Sequence, residues 1–456
     1  MAGIGFSLRK ILSHDTLTRT TAAYSVAGLI SGGPWLISVF SIILLAILVS
    51  FIPEYRLYMT QFQVSITFLV AGSLIFSGLA GDSFSRYAAD QIFSNRSTDV
   101  LSNLNGMLLV MTTCAGVLSF LFVLFLFPQQ CILYRLSLMS SFVVLSNIWV
   151  VISLLTGLKD YKVILKAFFF SYIVLVSLAY SLRHFGLEAF MYSFLLGQLI
   201  LWFMLMVALY KNYPTNTIIS FHFLKKGSVH RILILIGFIF NLAVWVDKFI
   251  FWYSPSTSYQ VIGPFRGSWF YDLPIFIAYL CSVPGMAVFL LLIETNFSDD
   301  YKDFHEAIRW VKSFEYIKMK GEKMGGYAMN VIYSILKIQA IVIILVFQFG
   351  SRLLEILHLS SLYTNVLYVA VIGTSLQVVL LALISILFHM DRLKDILLIS
   401  IVFLITNLLL TISSLYLGPF YYGFGFTCAL MITCSLGMYL VNEEFTDLEY
   451  KVIMLR

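Results

Sequence analysis

The stretch Ile232–Tyr253, ILILIGFIFNLAVWVDKFIFWY, decides the fold class. About twenty apolar residues are what a helix needs to cross roughly 30 Å of hydrocarbon. This run satisfies that length while carrying only two charges, Asp247 and Lys248. Eleven further runs share its character. Before it come Tyr24–Phe51, Gln63–Leu79, Asn105–Phe127, Leu133–Leu155, Ala167–Ser181 and Ala189–Tyr210. After it come Leu273–Ile293, Tyr327–Phe349, Tyr363–His389, Ile396–Leu417 and Phe424–Val441. Twelve crossings return both termini to one face. If that face is the cytoplasm, 22 of the 29 Lys and Arg lie inside. Only Arg56, Arg135, Arg183, Arg266 and Arg352 lie outside, with Lys248 and Lys337 within runs. The excess of basic residues in short cytoplasmic loops therefore orients the chain. The expectation is an all-α polytopic membrane protein with about 12 transmembrane helices and both N and C termini cytoplasmic.

Composition agrees, at 60% hydrophobic and 11% charged residues, where a soluble domain carries about a quarter charged. The net charge of +6 comes from the cytoplasmic loops and suits anionic lipid, not nucleic acid. The first run is too long for a signal peptide and has no small-residue cleavage site. The five cysteines have no metal-ligand spacing.

The loop Lys211–Arg231 contains KNYPTN and LKKGSVHR and divides the runs six and six. Residues 1–210 are expected to form one six-helix bundle, 211–231 a cytoplasmic linker and 232–456 a second bundle. With an even number of crossings in each half, any repeat relating the halves is parallel. Two runs are interrupted, the first by Ser31-Gly32-Gly33-Pro34 and the eighth by Ser282-Val283-Pro284-Gly285. Proline removes a backbone donor, so each interruption is either a bending point or a static kink packed against a neighbour. Gly32, Gly33, Pro34, Pro284 and Gly285 are the hinge candidates.

The cytoplasmic loop 294–326 includes Ser298–Met319, SDDYKDFHEAIRWVKSFEYIKM. Phe304, Ile308, Val311 and Phe314 recur in it at helical spacing, which predicts an amphipathic helix. Such a helix is either a membrane-surface tether or a docking surface for a cytosolic partner.

Motifs for catalysis are missing: the chain has no Walker A loop, no HExxH and no Gly-x-Ser-x-Gly. No enzymatic activity, cofactor or metal is expected. What remains is charge inside hydrocarbon. A charge near the bilayer centre costs at least about 2.5–3.5 kcal/mol, so it faces a cavity or a partner. Asp247 and Lys337 lie at similar depth, and a long lysine spans the gap if their helices are neighbours. The pair is then either a switching substrate site or a fixed pin, with Lys248 snorkelling outward. Glu294 closes the eighth run. The longest external loop, SPSTSYQVIGPFRGSWFYDLP, surrounds Arg266 and Asp272 with aromatics including Trp269. Those rings suit sugar stacking, or else form the aromatic belt of a membrane boundary.

Four blocks carry a family resemblance: MAGIGFSLRKIL, YSVAGLISGGPWLIS, VDKFIFWYSP and RGSWFYDLPIFIAYLCSVPGMAVFLLLIETNFSDDYKDFHEAI. They resemble the PelG family, the inner-membrane transporters of the Pel exopolysaccharide system, along the whole chain. That family is grouped with multidrug/oligosaccharidyl-lipid/polysaccharide (MOP) exporters, which implies two six-helix bundles with a substrate path between them. The resemblance implies export of a polymer of N-acetylated hexosamines across the bacterial inner membrane, in support of a biofilm matrix. It also implies partners: a cytosolic glycosyltransferase and membrane subunits, one of them binding cyclic di-GMP. Asp247, Lys248, Arg266, Trp269, Asp272, Pro284 and Glu294 fall within matching blocks, whereas Lys337 falls outside them. Alternatives are a flippase for a lipid-linked oligosaccharide, a cation-coupled antiporter using Asp247, or a non-transporting scaffold for the glycosyltransferase.

Overall fold

The structure, a computed structural model, describes residues 24–446 apart from 31, 95, 159–160, 214, 216, 226–229, 311, 357–359 and 361–362. Helices follow the apolar runs. They are α1 Gly33–Ser50, α2 Arg56–Ser77, α3 Gly81–Phe93, α4 Thr98–Leu126, α5 Ile132–Gly157, α6 Tyr161–Ser181, α7 Leu187–Asn212 and α8 Arg231–Tyr253. The strands β1 Ser258–Ile262 and β2 Phe265–Ser268 come next. Then follow α9 Asp272–Cys281, α10 Val283–Leu292, α11 Ser298–Arg309, α12 Phe314–Ile356, α13 Tyr363–His389, α14 Leu393–Leu417 and α15 Phe424–Thr446. Among the described residues, 12 helices are long and apolar enough to cross a membrane. The chain is a multi-pass membrane protein.

Contacts divide it into two compact units. One comprises Gly33–Trp245 and Trp252–Ser268, and the other Met1–Gly32, Val246–Phe251 and Trp269–Arg456. The units exchange segments relative to the seam at 211–231. Residues 24–30, which are helical, belong with the second unit, and residues 232–245 with the first. The chain crosses from one unit to the other between Gly32 and Gly33, at the interruption of the first run.

In the first unit α5 is central and packs on α2, α3, α4 and α7, while α6 packs on α1 and α7. Lipid is as apolar as leucine, so close packing rather than transfer from water holds such helices together. Phe62 of α2 meets Phe190 and Phe194 of α7 at ring separations of 5.6 and 6.3 Å. The end of α2 crosses α8 at two glycines: a Cβ on Gly78 would overlap the Gly237 carbonyl, and a Cβ on Gly237 would overlap that of Gly78. Many buried hydroxyls are satisfied locally, as where Ser65 donates to the Gln61 carbonyl at 2.7 Å.

A β-hairpin in the external loop was not expected from the sequence. β1 and β2 pair antiparallel about Gly263-Pro264. Gly263 has φ +52, a left-handed value that glycine adopts freely, and the ring of Pro264 fixes the next φ near −65°. That combination suits a tight type II′ turn. Phe265 of β2 is buried and stacks on Phe68 of α2 at 4.4 Å, with Phe127 edge-on at 5.0 Å.

In the second unit α13 is the most enclosed span and packs on α9, α12 and α15. The interruption of the eighth run is real: α9 ends at Cys281, and α10 starts at Val283 with Pro284 in its first turn. There the Ser282 N–H turns to the Tyr279 carbonyl at 3.1 Å. The Ala278 carbonyl instead accepts from Thr374 Oγ1 at 2.9 Å. Gln339 of α12 donates to the Ser282 carbonyl at 3.0 Å and accepts from Ser375 Oγ at 3.0 Å. A Cβ at Gly285 would overlap Gln339. Neighbouring helices thus supply the partners that a broken helix needs in hydrocarbon.

The amphipathic segment departs from expectation. The helical run that includes α9 and α10 continues through a π-helical turn, Ile293–Phe297, into α11, so that Asp272–Arg309 runs as one 38-residue element. It is then broken, and α12 starts at Phe314. α11 folds onto α12 through Lys320–Asp303 at 2.7 Å and Lys323–Asp300 at 2.9 Å. Phe304 is buried and Ile308 half-buried, whereas Phe314 is exposed on the other helix. Val311 lies outside the described residues. Phe304, Ile308 and Phe314 therefore do not form one exposed face. Their periodicity belongs to a helix that buries its apolar stripe against α12, not against lipid or a partner.

Candidate functional site

Consecutive residues on a helix project about 100° apart, yet Asp247 and Lys248 converge. Asp247 is 0% and Lys248 5% exposed. Lys248 Nζ donates to Asp247 Oδ1 at 3.2 Å, to Asp247 Oδ2 at 3.1 Å and to the Tyr279 hydroxyl at 3.2 Å. The ammonium also lies 5.1 Å from the ring centroids of both Tyr279 and Phe426, within cation–π range. Tyr271 donates its hydroxyl hydrogen to Asp247 Oδ2 at 2.6 Å, and Asn407 Nδ2 approaches Oδ1 at 3.5 Å. Thr411 Oγ1 donates to Asn407 Oδ1 at 3.0 Å, and the Tyr279 hydroxyl donates to Gln377 Oε1 at 3.1 Å. Phe251, one turn beyond Asp247, stacks on Tyr271 at 4.0 Å and fixes that tyrosine. The result is a polar cluster inside hydrocarbon, built from α8, α9, α13, α14 and α15.

Its chemistry is that of an internally neutralised carboxylate. Both Asp247 oxygens receive donors, and the lysine supplies the opposite charge from the adjacent position. Tyr279 joins this pair to the break at Ser282, because its carbonyl accepts the Ser282 N–H while its side chain holds Lys248. A change of geometry at the break therefore changes the lysine's surroundings.

The other sequence candidates do not gather here. Lys337 is exposed on α12, so the anticipated Asp247–Lys337 bridge does not exist, and Lys248 takes that role instead of snorkelling outward. The buried polar residue of α12 is Gln339, two positions further on. Glu294 is half-buried in the π-helical turn. Arg266 is half-buried on β2, Trp269 is exposed beyond the hairpin, and Asp272 opens α9. A carboxylate in a first turn suits the helix dipole. Arg266 belongs to one compact unit, while Trp269 and Asp272 belong to the other. Tyr271, Tyr279, Gln377 and Asn407 escape sequence reasoning. The tyrosines are indistinguishable from belt aromatics, and only the lone amide Asn407 within ITNLLL hints at an inward role. Among the described residues no group of His, Cys, Asp and Glu could hold a metal.

This architecture is shared with solved transporters. A MOP superfamily transporter from Pyrococcus furiosus, described as having a binding pocket of reverse polarity, superposes with a TM-score of 0.61 at 13% identity, over 94% of this chain and 96% of that one. A MATE structure in the straight conformation gives a TM-score of 0.61 at 14% identity, over 95% and 97%. An outward-facing multidrug resistance MATE family transporter gives 0.57 at 15% identity, over 93% and 96%. At such identities the likeness is one of fold. No curated protein matches the chain. The sequence pattern of one family, PelG, described as "Putative exopolysaccharide Exporter (EPS-E)", matches residues 1–453. The chain thus belongs to the PelG family of membrane exporters.

Proposed function

We propose that this protein carries a Pel-type polymer of N-acetylated hexosamines across the bacterial inner membrane, as part of a synthase and export complex, with both termini in the cytoplasm. The observation that carries this reading is the family match over residues 1–453. The ion pair supports it over the alternatives. A flippase for a lipid-linked oligosaccharide needs cations free to meet a pyrophosphate. Here Lys248 is engaged with Asp247, and Lys337 points out of the bundle. A cation-coupled antiporter needs a carboxylate open to an outside ion, whereas Asp247 already has a tethered ammonium. A growing polymer pushed by its own synthesis needs neither.

Synthesis at the membrane requires a docking point. We assign it to the tip of the α11–α12 hairpin, where Trp310 is 72% exposed and Phe314 and Met319 are also open. The segment from Phe314 to Gly326 precedes the apolar part of α12 and extends about 20 Å at 1.5 Å per residue. A bilayer's polar layer is only about 5–8 Å deep on each side, so a protein partner suits that apolar tip better than lipid.

The test is an account of polymer in cells that carry the cytosolic glycosyltransferase, with and without this gene. Hexosamine polymer is assayed separately inside and outside the cell. Loss outside with accumulation inside supports an exit route. Loss in both places favours a scaffold needed for synthesis, the reading to which the exposed hairpin tip lends weight.

A further inference from the structure

A groove of about 520 Å³ runs along the first unit between α4 and α7, within the range of about 300–1,000 Å³ typical of small-molecule sites. Both helices pack on α5 but scarcely on each other, which leaves a furrow walled by α4 and α7. Asn105, Thr112, Trp202, Val207 and Tyr210 are among the residues lining it. Thr112, on the α4 wall, accepts a hydrogen bond from Asn147 of α5 at 2.8 Å. The Trp202 indole N–H is buried with no acceptor among the described residues, and its ring lines the groove.

The two ends of the groove differ. At its basic end Asn105 Nδ2 donates to the Tyr210 hydroxyl at 2.8 Å and to the Ile218 carbonyl at 2.7 Å. That clasp ties the linker between the six-helix halves across α4, helped by the Ser220 N–H to Ser102 carbonyl bond at 2.9 Å. The linker turns Ile218, Phe221 and Leu224 outward, all exposed, with exposed Lys211 and Lys225 beside them. Exposed apolar side chains bounded by a lysine at each end suit a segment lying in the headgroup layer. Away from that end the groove is lined by Leu108, Leu109, Phe203 and Met206, all apolar, which suits an acyl chain.

We propose that this groove seats one anionic phospholipid of the surrounding leaflet, its acyl chain between α4 and α7 and its phosphate beside Lys211 and the Tyr210 hydroxyl. Hydrocarbon contact alone gives no preference over bulk lipid, so the selectivity resides at the basic mouth. One lysine near the surface favours an anionic lipid by roughly fivefold.

Trp202 reports on its own site. The full-length protein is reconstituted into phosphatidylethanolamine vesicles containing increasing fractions of brominated phosphatidylglycerol, or of brominated phosphatidylethanolamine. The Trp202 signal is the fluorescence difference between wild type and Trp202→Phe. Quenching of that signal should reach half its maximum at roughly fivefold lower brominated phosphatidylglycerol. Lys211→Glu should erase the preference, and Val207→Phe, which fills the groove without adding an indole, should abolish the saturable quenching. Equal curves for the two lipids in wild type would mean only annular lipid and would overturn the proposal. So would a Trp202 signal shielded from both lipids, the sign of a second copy or another protein covering the groove. Saturable quenching that survives Val207→Phe would overturn it as well.

Discussion

Removing Lys248 should expose what the ion pair is for. In Lys248→Met the Asp247 carboxylate stays fully buried with the Tyr271 hydroxyl at 2.6 Å and the Asn407 amide at 3.5 Å, but without a counter-charge. Breaking one partner of a buried pair costs about 3–5 kcal/mol. Asp247→Asn should cost less, because Lys248 keeps the Tyr279 hydroxyl and its place over the Tyr279 and Phe426 rings. The double variant Asp247→Asn/Lys248→Met removes both charges and should return stability to within about 1–2 kcal/mol of wild type, since matched neutral replacements are often tolerated. The assay is the thermal unfolding midpoint of detergent-purified protein, run beside membrane abundance and exported polymer for all four forms. Asp247→Asn is expected to cut export strongly at normal abundance. If the double variant recovers both stability and export, the pair is a pin. If it recovers stability alone, the charges take part in transport. A Lys248→Met protein with an unchanged midpoint and unchanged abundance would refute the reasoning, because Asp247 would then not be the buried charge that its geometry implies.

Three further outcomes follow from particular contacts. Gly237→Val places a branched side chain into the Gly78 carbonyl and should lower membrane abundance and the unfolding midpoint, whereas Gly326→Ala, where a Cβ meets nothing within 4 Å, should change neither. Gln339→Leu removes one bond each from the Ser282 carbonyl and the Ser375 hydroxyl, which keep the Met286 N–H and the Val371 carbonyl, so it should cost about 0.5–1.5 kcal/mol and should increase amide hydrogen exchange at residues 279–286 over that of wild type. Trp310→Glu with Phe314→Glu should release the cytosolic glycosyltransferase from membranes with no loss of folding, while Phe304→Glu, aimed at the α11–α12 contact, should destabilise the hairpin itself; retention of the enzyme by the first double variant removes the tip as its dock.

How much of this was legible in the sequence depends on which periodicity controls each part. The spans were readable because hydrocarbon imposes a length that ordinary soluble helices do not keep up through a dozen runs. The interruption at Ser282–Gly285 was readable because proline cannot donate, though the identity of the rescuing side chains was not. Gln339, Thr374 and Ser375 are polar residues in apolar runs, and nothing local distinguishes one that caps a distant break from one that bonds its own helix. The hairpin was hidden for a different reason. Its turn, Gly263-Pro264, is a strand-turn signal inside a loop rich in aromatics, and the aromatics drew the reading toward sugar or the membrane boundary.

The placement of charge shows the same limit more sharply. Depth along a helix can be counted from sequence, and depth alone made Lys337 a plausible partner for Asp247. Orientation about the helix axis decides the matter, and in an all-apolar run the stripe facing lipid and the stripe facing protein look alike. Lys337 falls on the outward stripe of α12 while Gln339, two residues away, falls inward. The converse holds in α11, whose clear amphipathic stripe suits a membrane surface or an outside partner equally well in sequence, although α12 of the same chain covers it. In water a polar face marks the exposed side, but an element packed against its own neighbour at the membrane edge shows the same pattern. The residues left open after that internal packing are Trp310 and Phe314, at the break between the two helices, and Met319, early in α12, and none of them is on the stripe; they are the ones to which we assign the partner.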